Sequence, residues 1–381
     1  MQGYSELRGL GFELVRSEFY PSLTLNVTPL ERGYIVKIYL SLLVCSLIFF
    51  LLTNTSSSQE FNAHSSTQES SRLVTLDTLS LWEQSLSNWG RWGTNDQRGT
   101  LNLITPAKTR EAAALVQEGI TVSLQHFVTM ERAIDAGAFG PTDHWMSRID
   151  EETGMPAFAL DEIQFSLHDG MLSHLDALCH YRTREQINGE WYIFNGYRQN
   201  LGPDGCQDLA IDRMGTSYIT RGVLVDMPLM KGVDWLEPST PIYVEDLEAW
   251  EEFSGIRIGS GDALLIRTGR WLKREKEGPW AYNRGGAGLH ASVIPWLRER
   301  DISLLVSDAV NDVQPSGVEG INRPVHQLTQ VTIGLPIVGN GYLKDVAETA
   351  RRLQRWEFMT SIQINPVPGG TASPFNANAT F

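Results

Sequence analysis

Residues 76–375 consist largely of short, uninterrupted apolar runs rich in β-branched residues, and this pattern restricts the fold more than any other feature of the chain. Thr121–Leu124, Gly222–Val225, Ala263–Arg267, Ile302–Val306 and Val331–Val338 each lie between Gly, Pro or Asp turns. A strand with one wet face alternates apolar and polar residues, whereas a run without alternation suits a strand covered on both faces. Helical patterns separate several of the runs: Pro106–Glu118, Val244–Glu252, His290–Glu299 and Leu343–Leu353. The first has Thr105 as its expected N-cap and Pro106 at the first helical position. Strand and helix alternate without strict βαβ regularity, so the sequence predicts one α/β domain with mixed sheets rather than a barrel. No G-x-G-x-x-G or phosphate loop supports nucleotide chemistry.

The N-terminal part is of another kind. Residues 38–52 (IYLSLLVCSLIFFLL) are apolar and uncharged. Flanked by 33–37 and Thr53, they approach the roughly 20 residues of a spanning helix. Arg32 and Lys37 precede the run, and the next Lys or Arg after it is Arg72, so the positive-inside rule would translocate everything beyond residue 53. The expected organisation is a tail (1–37), a signal-anchor helix (38–53), a Ser/Thr-rich linker (54–75) and a catalytic domain (76–381) that is lumenal or extracellular. Asn54-Thr55-Ser56 would then be a glycosylation acceptor. The alternatives are a cleaved signal peptide, giving a secreted protein, or translation upstream of the true start. Against the latter, no Met lies between Met1 and Met130.

Composition narrows the chemistry. With 31 Lys+Arg against 45 Asp+Glu the net charge is −14, which disfavours a nucleic-acid partner. The three cysteines, Cys45, Cys179 and Cys206, are too few for a disulfide framework or a four-thiolate zinc site. Cys179 is expected to be a small packed core residue. Catalysis must therefore rest mainly on histidines and carboxylates, and three of the eight histidines fall within FSLHDGMLSHLDALCHY: His168, His174 and His180. A strand would place His174 and Asp176 on one face, and a following turn could return His180 to the same place. Imidazole and carboxylate together suit Zn, Mn or Fe(II), and a carboxylate can bridge two ions. A histidine that is not a ligand can shuttle protons near neutral pH.

The SHLDALCH segment resembles the H-x-D-A-x-x-H core of the metal-dependent cyclase family, which includes kynurenine formamidase-like enzymes and isatin hydrolases. WGTNDQRGTLNLITP (92–106), RGVLVDMP (221–228), GDALLIRTG (261–269), LHASVIPWLRERDISLLVSD (289–308), PVHQLTQVTIGLPIVGNGYL (324–343) and GGTASPFNANA (369–379) extend the likeness over roughly residues 80–380. The resemblance implies a swivelling β/β/α-type fold holding one or two divalent ions, Zn or Mn. It implies His174 and Asp176 as ligands, with Asp176 as potential bridge, His326 as the distal metal histidine and His180 as the catalytic acid/base. The usual first ligand position, four residues before the central histidine, is Gly170, so His168 is assigned that place. A carboxylate usual twelve or thirteen residues after His326 is replaced by Val338 and Gly339, for which Asn340, Asp308 or Asp312 could compensate.

The activity so implied is hydrolysis of an amide or lactam of the arylformamide type, by metal-bound hydroxide with proton transfer through His180. A cyclase or dehydratase of polyketide-like secondary metabolism, and a membrane-anchored non-catalytic binding descendant, are the other readings. Trp92, in the tryptophan-rich stretch 81–92, is a weak candidate for an aromatic-substrate wall. A core-facing helical stripe of Trp82, Trp89 and Trp92 is the favoured alternative. The family also suggests a homo-oligomer.

Overall fold

The apolar runs assemble into one nine-stranded mixed sheet. The computed structural model describes residues 72–136, 142–148, 154, 159–282 and 284–381, which group in one unit. In chain order the strands are β1 (Thr121–Ser123), β2 (His174–Asp176), β3 (Ser217–Asp226), β4 (Ala263–Arg267), β5 (Leu304–Ser307), β6 (Ile337–Gly339), β7 (Glu357–Gln363), β8 (Ala372–Pro374) and β9 (Asn376–Thr380). Their order across the sheet is β1-β9-β7-β3-β4-β5-β6-β2-β8. The middle strands β3, β4, β5 and β6 are mutually parallel. Antiparallel pairs complete both sides. The parallel strands overlap four of the five non-alternating runs, whereas the fifth, Thr121–Leu124, forms the antiparallel strand β1 with exposed residues. Every residue of β4 and β5 is buried. Helices and loops must therefore cover both faces there.

The four expected helical patterns are all present, three with shorter limits and Val244–Glu252 extended to Ser254, and further helices join them. α1 (Leu76–Ser85) is capped by Thr75, and α2 (Pro106–Ala113) by Thr105, whose side chain accepts from the Lys108 N–H. α2 ends before Glu118 because the chain turns at Gly119, in the left-handed region, where its N–H donates to the Phe381 carbonyl. α3 (Met227–Lys231), α4 (Val244–Ser254), α5 (Arg270–Glu277), α6 (Ile294–Glu299), α7 (Pro324–Leu328) and α8 (Lys344–Leu353) follow.

Two expectations about local structure are corrected. Val331–Val338 is not one strand: Thr329–Ile333 continues α7 as a wide π-helical turn, and only Ile337–Gly339 pairs in the sheet. The turn closes at Gly334, whose φ is +70° and where a Cβ would lie 2.4 Å from the Phe194 ring. Both the left-handed backbone and the close approach require glycine. The tryptophans do not form one helical stripe, since only Trp82 lies on α1, although all three pack against the core.

The expected membrane anchor is also corrected. Among the described residues no helix is long and apolar enough to cross a membrane. The 38–53 segment on which that expectation rested, and the Asn54 acceptor, lie outside the described residues. Finally, Cys179 is not merely a packed thiol: it forms a disulfide with Cys206. Three cysteines cannot build a framework, but they still allow one bond when the fold brings two together.

Candidate functional site

β2 is short and inserted between β6 and β8, and this placement builds the site. Its pairing sets His174 opposite Gly339 and Asp176 opposite Ala372. The two-residue spacing of a strand turns His174 and Asp176 to the same side, with His174 Nε2 3.6 Å from Asp176 Oδ1. The chain then turns, the His180 N–H donating to the Ala177 carbonyl, and His180 returns to the same place. The Cys179–Cys206 bond ties this turn to the loop ahead of β3. His168, from the loop before β2, puts Nδ1 3.3 Å from Asp176 Oδ1 and stacks on His180, with ring centroids 3.9 Å apart and planes 8° apart. From α7, His326 brings Nε2 to 4.0 Å from Asp176 Oδ2.

The four candidate histidines thus gather around the fifth candidate, Asp176, while Trp92 does not line the cavity they form. The sides of Asp176 are distinct: Oδ1 faces His168 and His174, and Oδ2 faces His326 and accepts a 3.0 Å bond from Gln330 Nε2. Ligand atoms of His168, Asp176 and His180 all lie within 4.8 Å of one another, a spacing that can hold a metal ion. His180 is therefore near enough to ligate, although the family pattern implies an acid/base role for it.

Supporting bonds orient each group. His174 Nδ1 bonds the Leu172 carbonyl at 2.8 Å, leaving Nε2 toward Asp176. His168 Nε2 bonds Thr371 at 3.0 Å. His326 Nδ1 bonds Asp312, which also accepts the backbone N–H groups of Val325 and His326 at the start of α7. Such outer partners fix the ring orientation and tautomer of metal-binding histidines.

Burial and charge set the protonation states. Burial lowers the His174 pKa and takes that of His180 down to about 4, so both are neutral imidazoles near pH 7. For Asp176 burial acts to raise the pKa, but His180, His168 and His174 outweigh it and hold the carboxyl well below its usual range. Tyr181, beside His180, is pushed up to about 12 by burial. Asp176 is only 2% exposed, and among the described residues its Oδ1 has no hydrogen-bond partner. A buried anionic oxygen faced by two imidazoles, with no donor satisfying it among the described residues, fits a divalent cation.

The cavity, of about 380 Å³, is also lined by Asp135, Asp169, Gly170, Tyr181, Tyr282, Val310, Arg323, Gly339 and Asn340. None of the three candidate substitutes for the missing acid takes a ligand position. Asp308 accepts from Thr268 and the Gly269 N–H, away from the cavity. Asp312 serves His326. Asn340 reaches the cavity, but its Oδ1 accepts from Arg270 and Tyr282 and its Nδ2 donates to the Asp169 and Leu172 carbonyls. Sequence reasoning missed Gln330, Thr371, Tyr181 and Arg323. Gln330 lies just before the Val331–Val338 run read as strand, Tyr181 had only its adjacency to His180 to mark it, and Arg323 precedes His326 by three residues.

The family model described as "Putative cyclase" matches residues 100–311, which include the His168–His180 segment. A crystal structure of a novel cyclase is 27% identical with a TM-score of 0.68, covering 78% of this chain and 99% of its own. Isatin hydrolase A from Labrenzia aggregata, bound to benzyl benzoate, is 19% identical with a TM-score of 0.49, covering 70% of this chain and 94% of its own. Isatin hydrolase A from Ralstonia solanacearum is 18% identical with a TM-score of 0.49, covering 72% and 97%. No curated protein matches the chain.

Proposed function

The chain belongs to the cyclase family, and from that premise we propose that it is a metal-dependent hydrolase of an amide or lactam, of the arylformamide type. The observation that carries this reading is the buried Asp176, with an unpartnered Oδ1 toward His168 and His174 and an Oδ2 toward His326. These are nitrogen and oxygen donors of the kind that hold Zn or Mn. When bound there, a divalent ion supplies Lewis acidity toward a carbonyl and lowers the pKa of water.

The residues of the chain supply the rest. His180, neutral through burial, has the protonation state to accept a proton from an attacking water and return it to the departing nitrogen. Asp176 stabilises the imidazolium formed in between. Asp312 and the Leu172 carbonyl hold His326 and His174 in orientation, and the cavity walls limit water around the reacting carbonyl. The test is formate release from an arylformamide by metal-loaded protein. Dependence on a divalent metal, with loss on His180→Ala at unchanged metal content, supports the reading. Hydrolysis that survives complete metal removal refutes it.

Ring closure of a secondary metabolite is the second reading, favoured by the cyclase descriptions of the family and of the 27% identical structure. It predicts product formation without uptake of labelled oxygen from water.

A further inference from the structure

Two guanidinium groups flank the His180–Tyr181 pair. Arg323 lines the cavity that holds His180, and among the described residues no carboxylate lies within ion-pair distance of it. Arg182 lines a second, more open cavity of about 410 Å³ that shares His180 and Tyr181 with the first. Its guanidinium carbon sits 3.6 Å from the centre of the Trp191 ring, and it too has no acidic partner among the described residues.

The neighbouring cations are committed. Arg184 makes a two-pronged pair with Glu83, at 2.7 and 3.0 Å. Arg274 pairs with Asp135, and Arg270 reaches Asn340 and the Gly170 carbonyl. The acids around the cavity are committed as well: Asp312 to His326 and two backbone N–H groups, Asp176 to the histidines, Asp135 to Arg274, and Asp169 to the N–H groups of Met171 and Leu172. In a chain with a net charge of −14, two guanidiniums near the same pair thus have no acidic partner among the described residues, and of the two Arg323 is half-buried while Arg182 is exposed. A half-buried guanidinium without a counter-charge is costly unless a ligand brings one, and its planar fork matches a carboxylate. The Tyr181 hydroxyl, close enough to Arg323 to feel its charge, adds a second polar group on the same wall.

We propose that Arg323 is a specificity-determining residue that binds a carboxylate carried by the substrate, with Arg182 gathering anionic substrates at the outer cavity. The inference rests on the hydrolase reading and narrows its substrate class to amides or lactams with an acidic group beside the scissile bond. Arg323 orients the substrate across His180 and takes no part in bond making.

The test compares meta- and para-formamidobenzoate with the matching formamidobenzamides, which differ from them in charge, using the full-length metal-loaded protein and its Arg323→Gln and Arg323→Lys variants. The expected result is a kcat/KM about tenfold or more higher for the benzoates, expressed mainly in KM. That preference falls to within about threefold in Arg323→Gln and is partly kept in Arg323→Lys, which retains the charge without the fork. Equal rates for charged and uncharged amides in the unaltered protein overturn the inference and leave the hydrolase reading standing. So does a preference that survives in Arg323→Gln.

Calorimetric binding of para-aminobenzoate against para-aminobenzamide separates the two failures. If no amide is hydrolysed, tighter aminobenzoate binding that disappears in Arg323→Gln keeps the carboxylate site and removes the hydrolase reading. Absence of any preference in binding and in hydrolysis removes the inference.

Discussion

Gly339 stands directly across the β6–β2 pairing from His174, and a Cβ at 339 would lie 3.4 Å from His174 Cε1 and 3.7 Å from the Ala309 carbonyl oxygen. The position at which the family resemblance expects an acid therefore opens into the cavity, and room for a side chain is present. What is missing is a ligand rather than the space for one.

Gly339→Glu is expected to restore an anionic oxygen beside His174 and Asp176. The measurement is metal content of purified protein at saturating and then limiting Zn or Mn. The variant should hold more metal per chain than the parent and release it more slowly to a chelator. An unchanged stoichiometry and release rate would mean that residue 339 does not decide how many ions bind.

Asp312→Asn tests the orientation of His326. The single amide oxygen can still accept from the Val325 N–H, but the variant loses the charge and the second oxygen that hold His326 Nδ1 and the His326 N–H. Metal affinity is expected to drop about 10–100-fold with little change in fold, the usual cost of losing an outer partner of a ligand. Affinity within twofold of the parent would show that His326 is not a ligand or is held by something else.

Acid lability is expected to begin near neutral pH in the metal-free protein. His126 stacks on Trp271 at 3.8 Å, and burial, with the charges of Arg270 and Arg274, lowers its pKa from 6.5 to about 4. The unfolded chain thus takes up the proton more readily than the folded one, and stability is lost as the pH falls from 6.5 toward 4. His126→Phe keeps the stacking and removes this titration. Unfolding free energies from urea titrations at pH 7 and pH 5 should differ less in the variant, by on the order of 1 kcal/mol after allowance for solvent screening. An identical pH dependence in parent and variant refutes the assignment.

The disulfide joins residues 27 apart in sequence, immediately before His180. Loop closure of that length restricts the unfolded chain, so replacing both Cys179 and Cys206 by Ala should lower the unfolding free energy by about 2–4 kcal/mol. Chemical denaturation of parent and double variant decides it. A loss confined to a few tenths of a kcal/mol would mean that the bond adds little beyond the packing around it.

Much of the architecture was legible because burial on two faces leaves a direct mark on sequence. Ala263–Arg267 is a strand with the limits its apolar run suggests, and Thr105-Pro106 opens a helix as capping chemistry requires. Val331–Ile333 misled for the same reason. Its residues are all buried, and a buried turn has no polar positions to distinguish it from a buried strand.

The candidate site divides along similar lines. His174 and Asp176 share a face through the two-residue period of a strand, and that local rule is contained in the spacing H-x-D. Their convergence with His326, 150 residues beyond Asp176 in sequence, depends on β2 pairing with β6 while α7 packs alongside; no local pattern encodes it. The same holds for Cys179 meeting Cys206, for Gln330 reaching Asp176 from a π-helical turn, and for Arg323 facing the wall that carries His180. Sequence by itself determined which side chains could do the chemistry and which runs had to be buried, because both follow from residue type and short-range period. Tertiary structure alone decided which oxygen of Asp176 each histidine faces, because that depends on contacts between segments far apart in the chain.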